Sequence, residues 1–279
     1  MNTIESKYIE KTGYLSRYAH ERIVALREAQ AQAAIGSEAE WLKSIQHQLP
    51  RFIPFLTKQC KVDFLGRILE IGAGGAWLSA ELSKLPRVVE IVATDVSPTL
   101  LKEQAPKVFR ALSAKGGKIT RVPADFHQMD FPDNHFDFVV SSAVLHDAAN
   151  IVQALREVKR VLKPGGQFVA IREPVWPLVK LKSRKKMLEK LVTTGVNDRF
   201  YTLRNYKEYF KQAGLPVEAR RVNLARGFKY YVNALVNGLT HARYAFIAQK
   251  KSTHATPKRR SQHPPLPALR RSVPSRRLQ

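Results

Sequence analysis

The chain has few of the features that several protein classes require. Its 279 residues include a single cysteine, Cys60, which excludes an internal disulfide and a zinc site built from several thiolates. No run approaches the roughly 18 to 20 uninterrupted apolar residues of a membrane-spanning helix. The first residues also lack the basic and then apolar order of a secretory signal. These absences favour a cytoplasmic protein without a membrane span or a metal site.

Acidic residues are also scarce, because 23 Asp and Glu face 47 Lys and Arg and give a net charge of +24. Such an excess normally points to nucleic acid or to acidic membrane surfaces. Eight of the basic residues lie in 251–279, which has no acid, and six lie in 180–190. The Pro-rich composition of 251–279 favours a disordered, solvated tail. Since no aromatic residue in it is available to stack on bases, nucleic acid is the less favoured partner.

What is present fits a globular protein, with 44% apolar and 25% charged residues, long enough for one α/β domain with additions. Residues 1–60 are predicted to form helices, and an alternation of strands and helices follows. The predicted strands are 67–71, 90–95, 118–125, 136–142, 167–173, 216–222 and 242–250.

Most of these strands are apolar on both faces and are joined by helices, which indicates a parallel sheet covered on both sides. The predicted fold class is therefore α/β, a Rossmann-like doubly wound and mostly parallel sheet with a helical N-terminal cap and lid insertions. The predicted domains are the cap, 1–60, the α/β domain, 61–250, and the tail, 251–279. The lid insertions are predicted at 174–202 and 225–240.

A glycine-rich loop, Gly72 to Gly75, follows the first strand and precedes a helix. Glycine has no Cβ, so such a loop lets the backbone approach a ligand closely. Asp95 ends the second strand, 23 residues beyond Gly72, where a carboxylate can accept both hydroxyls of a ribose. A nicotinamide dinucleotide site would have a third glycine where Trp77 stands, so that ligand is disfavoured.

Four segments in this order resemble a known family. "LEIGAGGA", "ATDVS", "PADFHQMDFPDNHFDFVVSSAVLHD" and "LREVKRVLKPGGQFVAIREP" are similar to the class I methyltransferases that use S-adenosylmethionine, in particular the group that acts mostly on small molecules. The resemblance is clear over residues 66–175. It implies S-adenosylmethionine as the cofactor and methyl transfer as the activity.

The resemblance also implies a set of donor-binding residues at the ends of the first four strands. Glu70 would orient the glycine loop and the methionine part of the donor, Asp95 would accept the ribose hydroxyls, and Asp125 would meet the adenine amino group. Ala76 stands where the family has its third glycine, a departure expected to tighten the loop. The other implied donor contacts, some of which core packing would also explain, are Gly72, Ala73, Gly74, Val96, Phe126, Ser141 and Ser142.

The acceptor is narrowed by what the sequence lacks after the fourth strand. "SSAVLHD" does not contain the Asn/Asp-Pro-Pro-aromatic motif of enzymes that methylate exocyclic amines of bases. Enzymes that methylate cytosine C5 need a cysteine nucleophile after the fourth or a later strand, whereas Cys60 precedes the whole sheet. A hydroxyl, amine or activated carbon of a small molecule remains as the acceptor. RNA or protein substrates, and a binding module without catalysis, remain as alternatives.

His146 is the candidate catalytic base, because an imidazole changes charge near neutral pH. Packing of His146 against the donor loop is the alternative, and Asp147 beside it would orient the ring or cap the next turn. Residues 180–190 would meet an acidic group on the substrate or form a solvated helix face. An aromatic lid, with helix packing as the alternative, is predicted from Tyr8, Tyr14, Tyr18 and Trp41. The acceptor, the atom methylated and the oligomeric state stay open.

Overall fold

The computed structural model describes residues 24–25, 28–29, 37–175, 201–225, 227–236 and 242–252. Its seven strands are β1 (Gly66–Ile71), β2 (Val88–Asp95), β3 (Ile119–Pro123), β4 (Phe136–Ser142), β5 (Leu162–Val175), β6 (Val217–Arg221) and β7 (Ala242–Gln249). They form one sheet in the order β3-β2-β1-β4-β5-β7-β6. The pairings among β1 to β5 are parallel, whereas β7 is antiparallel to both β5 and β6. The predicted mostly parallel, Rossmann-like α/β fold is confirmed.

Helices cover the sheet in the described part of the chain. They are α1 (Glu38–Gln48), α2 (Phe52–Pro54), α3 (Trp77–Leu82), α4 (Ala105–Ala111), α5 (Ile151–Val161), α6 (Leu203–Gln212) and α7 (Phe228–Val236). The π-helical turn Phe55–Gln59 continues α2, and a second one, Leu100–Gln104, leads into α4. Asn150 begins α5 by accepting a hydrogen bond from Gln153 N, as its position before an apolar helical pattern predicts.

Two hydrophobic clusters lie on opposite faces of the sheet. The neighbouring residues Ile68 and Leu69 of β1 belong to different clusters, because successive side chains of a strand point to opposite faces. The cluster containing Leu69 is covered by α5 and α6, and the one containing Ile68 by α1 to α4. Burial on both faces explains why the strands are almost continuously apolar.

Two element boundaries differ from the prediction for local reasons. Leu78, Leu82 and Leu85 predict a helix over 75–85, whereas α3 spans Trp77–Leu82. It begins later than predicted because Gly74 and Ala76 have positive φ angles that a right-handed helix cannot contain. Strand β5 begins at Leu162 rather than at 167, since Gly165 N donates to Lys250 O and Lys250 N donates to Gly166 O. The sequence KPGG, residues 163–166, predicts a helix stop, and α5 does end before it at Val161, but the segment is itself bonded into the sheet.

In the N-terminal region, the structure describes residues 24–25 and 28–29 and then the chain from residue 37, just before α1. Helix α1 contacts α4, where Gln46 Nε2 donates to Ala111 O over 2.8 Å. Tyr8, Tyr14 and Tyr18 lie outside the described residues, as do 180–190 and 253–279. The boundaries of the cap, the α/β domain and the tail stay predictions. In the described ranges, no helix has the length and apolar character needed to cross a membrane.

Candidate active site

The order of strands reverses between β1 and β4, and the polar residues of interest gather where these strands end. In doubly wound sheets, ligands bind in the crevice beyond the carboxyl ends of the strands at this reversal. The glycine loop leaves β1 here, and the segment that follows β4 lies beside it.

Gly72 occupies a position that only glycine fits. Its φ is +60°, and a Cβ built on it would lie 2.7 Å from both methyl carbons of Val144. The next residue, Ala73, donates its N–H to Thr94 O over 2.8 Å. In this structure Val144, in the segment after β4, lies against Gly72, and the loop is held between two neighbouring strand ends; the predicted approach to a ligand stays a prediction.

Ala76 has a φ of +53° and is fully buried. A left-handed backbone costs an L-residue other than glycine roughly 1–2 kcal/mol. Its methyl group packs in a small cluster with Ala73, Ala93 and Leu101, contacts that glycine would not make. The departure from the family glycine therefore strains the backbone and fills the space beneath the loop.

Glu70 fixes the helix that follows the loop. Its buried carboxylate accepts hydrogen bonds from Ser79 N, over 2.8 Å, and from Ser79 Oγ. Burial raises the pKa of this carboxyl from 4.5 to about 7, and the nearby Asp95 adds to the increase. The carboxylate thus ties α3 to β1, and its predicted role toward the glycine loop and the methionine part of the donor stays a prediction.

The raised pKa of Glu70 makes stability depend on pH. A carboxyl that protonates more readily in the folded chain contributes stability that is present below pH 4.5 and is lost as pH rises through about 7. One pKa unit corresponds to about 1.4 kcal/mol, so the contribution is about 3 kcal/mol at most. We expect urea unfolding at pH 5 and pH 8 to show this loss in the wild type and not in Glu70→Gln.

Glu90→Gln is the matched control, because Glu90 lies on β2 with its side chain half exposed beside Arg67. This variant should follow the wild type at both pH values. Equal pH dependence of stability in the wild type and Glu70→Gln would contradict an assignment of the effect to Glu70.

Asp95 joins the glycine loop to the start of the next helix. Its Oδ2 accepts from Gly74 N over 2.7 Å and its Oδ1 from Ser97 N over 3.0 Å. Ser97 Oγ caps the helical turn by accepting from Leu100 N, and it donates to Glu28 Oε1 over 2.6 Å. Two carboxylates, those of Asp95 and Glu28, therefore bond to Ser97 beside the end of β2, and Glu28 was not predicted.

Asp125 follows β3 and is oriented by His127, which sequence reasoning missed. Asp125 Oδ1 accepts from His127 N over 2.8 Å and lies 2.7 Å from His127 Nδ1. Because Asn150 N donates to His127 Nε2, the ring proton is on Nδ1. The Phe126 ring stacks on His127 with centroids 4.6 Å apart. The sequence signal for this pair was an acid, Asp125, two residues before a histidine, His127, just after a strand.

His146 lies in the short 3-10 turn Leu145–Asp147 after β4, and its partner is Glu173. His146 Nδ1 is 3.1 Å from Glu173 Oε2, and Glu173 Oε1 accepts from Val144 N and Leu145 N over 2.8 and 3.0 Å. An ionised carboxylate only accepts, so the contact with Glu173 favours the tautomer with the proton on Nδ1.

Glu173 was missed by the sequence analysis, although the acid after the apolar run of β5 was a signal for it. Asp147, predicted to orient the ring or to cap the next turn, has Oδ1 at 3.5 Å from His146 Nε2. The Nδ1 atom is held by Glu173, which is fully buried. The orienting contact at Nδ1 therefore comes from Glu173 rather than from Asp147.

The two serines of β4 point to different environments. Ser141 is fully buried, and its Oγ has no hydrogen-bond partner in the part of the chain that the structure describes. Ser142 Oγ accepts from Arg172 Nη1 over 3.2 Å. Any contact between Ser141 and the methyl donor would therefore be made by the Ser141 backbone in this conformation. Val96, beside Asp95, is half-buried.

Two further residues named in the sequence analysis are Cys60 and Trp41. Burial raises the pKa of the Cys60 thiol to about 11, so it is not activated as a nucleophile. Trp41 of α1 packs against the loop, 3.6 Å from the position of a Cβ built on Gly75. Within the described ranges, no group of three or more His, Cys, Asp and Glu side chains is arranged to hold a metal ion.

Comparison with known proteins adds sequence and fold relationships. A family described as "Methyltransferase domain" matches residues 69–170. The ubiquinone/menaquinone biosynthesis C-methyltransferase UbiE of Pseudomonas aeruginosa (strain LESB58) is 33% identical over 106 residues, which are 38% of this chain and 41% of that protein. The chain thus spans less than half the length of the curated relatives it matches.

Two solved structures share the fold at low identity. Phosphoethanolamine N-methyltransferase 2 of Haemonchus contortus, in complex with S-adenosyl-L-methionine, is 17% identical with a TM-score of 0.55, covering 72% of this chain and 52% of that one. The [4+2]-cyclase SpnF is 16% identical with a TM-score of 0.55, covering 73% of this chain and 81% of that one. One architecture thus occurs in proteins named for different chemistries.

Proposed function

Because the chain carries a class I S-adenosylmethionine-dependent methyltransferase domain, we propose that it transfers a methyl group from S-adenosylmethionine to a hydroxyl, amine or activated carbon of a small molecule. The observation that carries this proposal is the meeting of the glycine loop with the His146–Glu173 pair where the strand order reverses. One part is suited to holding a donor and the other to removing a proton.

The residues at the strand ends fit such a donor. Adenosine offers hydroxyl and amino hydrogens, and the ends of β2 and β3 present the carboxylates of Asp95 and Asp125. The loop from Gly72 to Gly74 has positive φ at both glycines and so presents backbone without a Cβ. When bound, S-adenosylmethionine supplies an electrophilic methyl group on a positively charged sulfur.

On the acceptor side, His146 would take the proton that a hydroxyl or protonated amine loses on methylation. Glu173 holds Nδ1–H and so keeps Nε2 as the proton-accepting atom. A base of this kind contributes typically 10²- to 10⁴-fold to a rate. Alignment of the two reactants supplies the larger share, about 7–11 kcal/mol of the barrier.

The acceptor is not chosen by the fold, since a C-methyltransferase, an N-methyltransferase and a cyclase are all among the similar proteins. The small-molecule proposal rests on the segment after β4, which lacks the motif for base amines, and on the tail, which lacks aromatic residues. We accordingly place the acceptor among small metabolites rather than nucleic acids.

The test is to incubate the full chain with S-adenosylmethionine carrying a deuterated methyl group and a fractionated cell extract. We expect mass spectrometry to find one labelled methyl group on a small molecule, and excess S-adenosylhomocysteine to suppress it. Label confined to the RNA or protein fraction would overturn the acceptor class. Calorimetry showing binding of NADH but not of S-adenosylhomocysteine would overturn the donor assignment.

A further inference from the structure

Arg172 departs from the geometry of the strand in which it lies. Its φ is +63°, and the register between β5 and β7 shifts between Ala170 and Glu173. Such a backbone is strained for a residue other than glycine. The bulge directs two consecutive side chains toward the end of β4 and the segment after it. Arg172 bonds to Ser142, the last residue of β4, and Glu173 bonds to His146 in the following turn.

The charge of Arg172 is poorly compensated by the described residues. Nη1 donates to the neutral Ser142 Oγ, and the Phe52 ring lies 6.0 Å from Cζ. The Nε atom is buried and has no hydrogen-bond partner among the described residues. Burial, together with the nearby charge of Arg243, lowers the pKa of Arg172 to about 10, and the charge of Glu173 opposes this decrease only in part. Within the described ranges, no carboxylate forms an ion pair with this guanidinium.

The adjacent carboxylate does not fill this role, because Glu173 already accepts from Val144, Leu145 and His146. A second cation, Arg243 on β7, lies across the sheet pairing from Pro174 and increases the excess of positive charge. Burying a charge without a counter-ion destabilises a protein, and a bound anion would remove that cost.

We propose that Arg172, with Ser142 and Arg243 beside it, forms a subsite for an anionic group, a carboxylate or a phosphate, on the methyl acceptor. The planar guanidinium matches the geometry of both groups. The assignment of this anionic group to the methyl acceptor rests on the proposed function. The anion site itself does not depend on that function. Because Arg172 and Glu173 are consecutive, an acceptor anchored at Arg172 would place its reacting atom near the base that Glu173 orients.

The test uses nuclear magnetic resonance of the full chain labelled with ¹⁵N at the arginine Nε atoms, saturated with S-adenosylhomocysteine. Acetate, benzoate and inorganic phosphate are titrated at constant ionic strength, with acetamide and benzamide as neutral counterparts. Arg172→Met identifies the Arg172 resonance by its loss. Arg220, which pairs with Glu218 on the exposed side of β6, provides the control resonance.

We expect at least one of the anions to shift the Arg172 resonance in a saturable way, with no shift from the amides and none at Arg220. Arg172→Lys keeps the charge but not the planar guanidinium. Calorimetric titration of this variant with the same anion should show binding at least about fivefold weaker than that of the wild type. The proposal is overturned if none of the three anions moves the Arg172 signal, or if amides and acids move it equally. Calorimetry with S-adenosylhomocysteine alone reports separately on the donor site.

Discussion

Replacing His146 by alanine is expected to lower kcat about 10²-fold and to leave the affinity for S-adenosylhomocysteine within about twofold. The imidazole is held by Glu173 through Nδ1, which leaves Nε2 to take the proton of a hydroxyl or amine acceptor. A base acts on the transition state and contributes little to holding the donor. The measurement is kcat at saturating donor beside calorimetric donor affinity.

His135→Ala is the matched control. His135 precedes β4 and packs edge-on against Phe136, at the opposite end of the strand from the turn that carries His146. It should change neither quantity. Weaker donor binding with unchanged kcat in His146→Ala would show instead that His146 packs against the donor loop. Unchanged values of both would point to an acceptor carbon that the substrate itself makes nucleophilic.

Asp95→Ala is expected to weaken binding of S-adenosylhomocysteine about 10²-fold. The carboxylate accepts from Gly74 N and Ser97 N, so its loss releases the glycine loop and removes the acceptor proposed for the ribose hydroxyls. Hydrogen bonds to a charged group contribute about 1.5–3 kcal/mol each, and 1.4 kcal/mol is tenfold in affinity. Isothermal titration calorimetry measures the change directly.

Asp95→Asn keeps the shape and one accepting oxygen, so its affinity should fall between those of the wild type and Asp95→Ala. Glu90→Ala removes a half-exposed carboxylate from the same strand and should bind as the wild type does. Equal affinities of all four proteins would remove Asp95 from the donor site.

The sheet could be predicted from the sequence because its signals are local. Strand β4 has the predicted limits, since a run of apolar residues between a turn and a polar segment defines it without reference to the rest of the chain. Glu70 and the glycine loop were likewise recognisable, because the strand, the acid and the turn are adjacent in sequence.

The contacts that organise the site were not predictable in the same way. Glu173 lies 27 residues from His146, and only the parallel pairing of β4 with β5 brings the two together. Val144 reaches Gly72 through the pairing of β1 with β4. The positive φ of Arg172 follows from a bulge against β7, a strand formed by residues 242–249, and no local pattern in β5 indicates it.

Val144 has a consequence for how the two halves of the site communicate. Its side chain lies over Gly72 of the donor loop, while its N–H donates to the carboxylate that orients His146. Val144 is thus a contact shared by the glycine loop and the turn that carries His146, and under the proposed function it would join the donor side of the site to the acceptor side. In thermodynamic terms, donor and acceptor binding share a coupling free energy, and this coupling has the same size whichever ligand binds first.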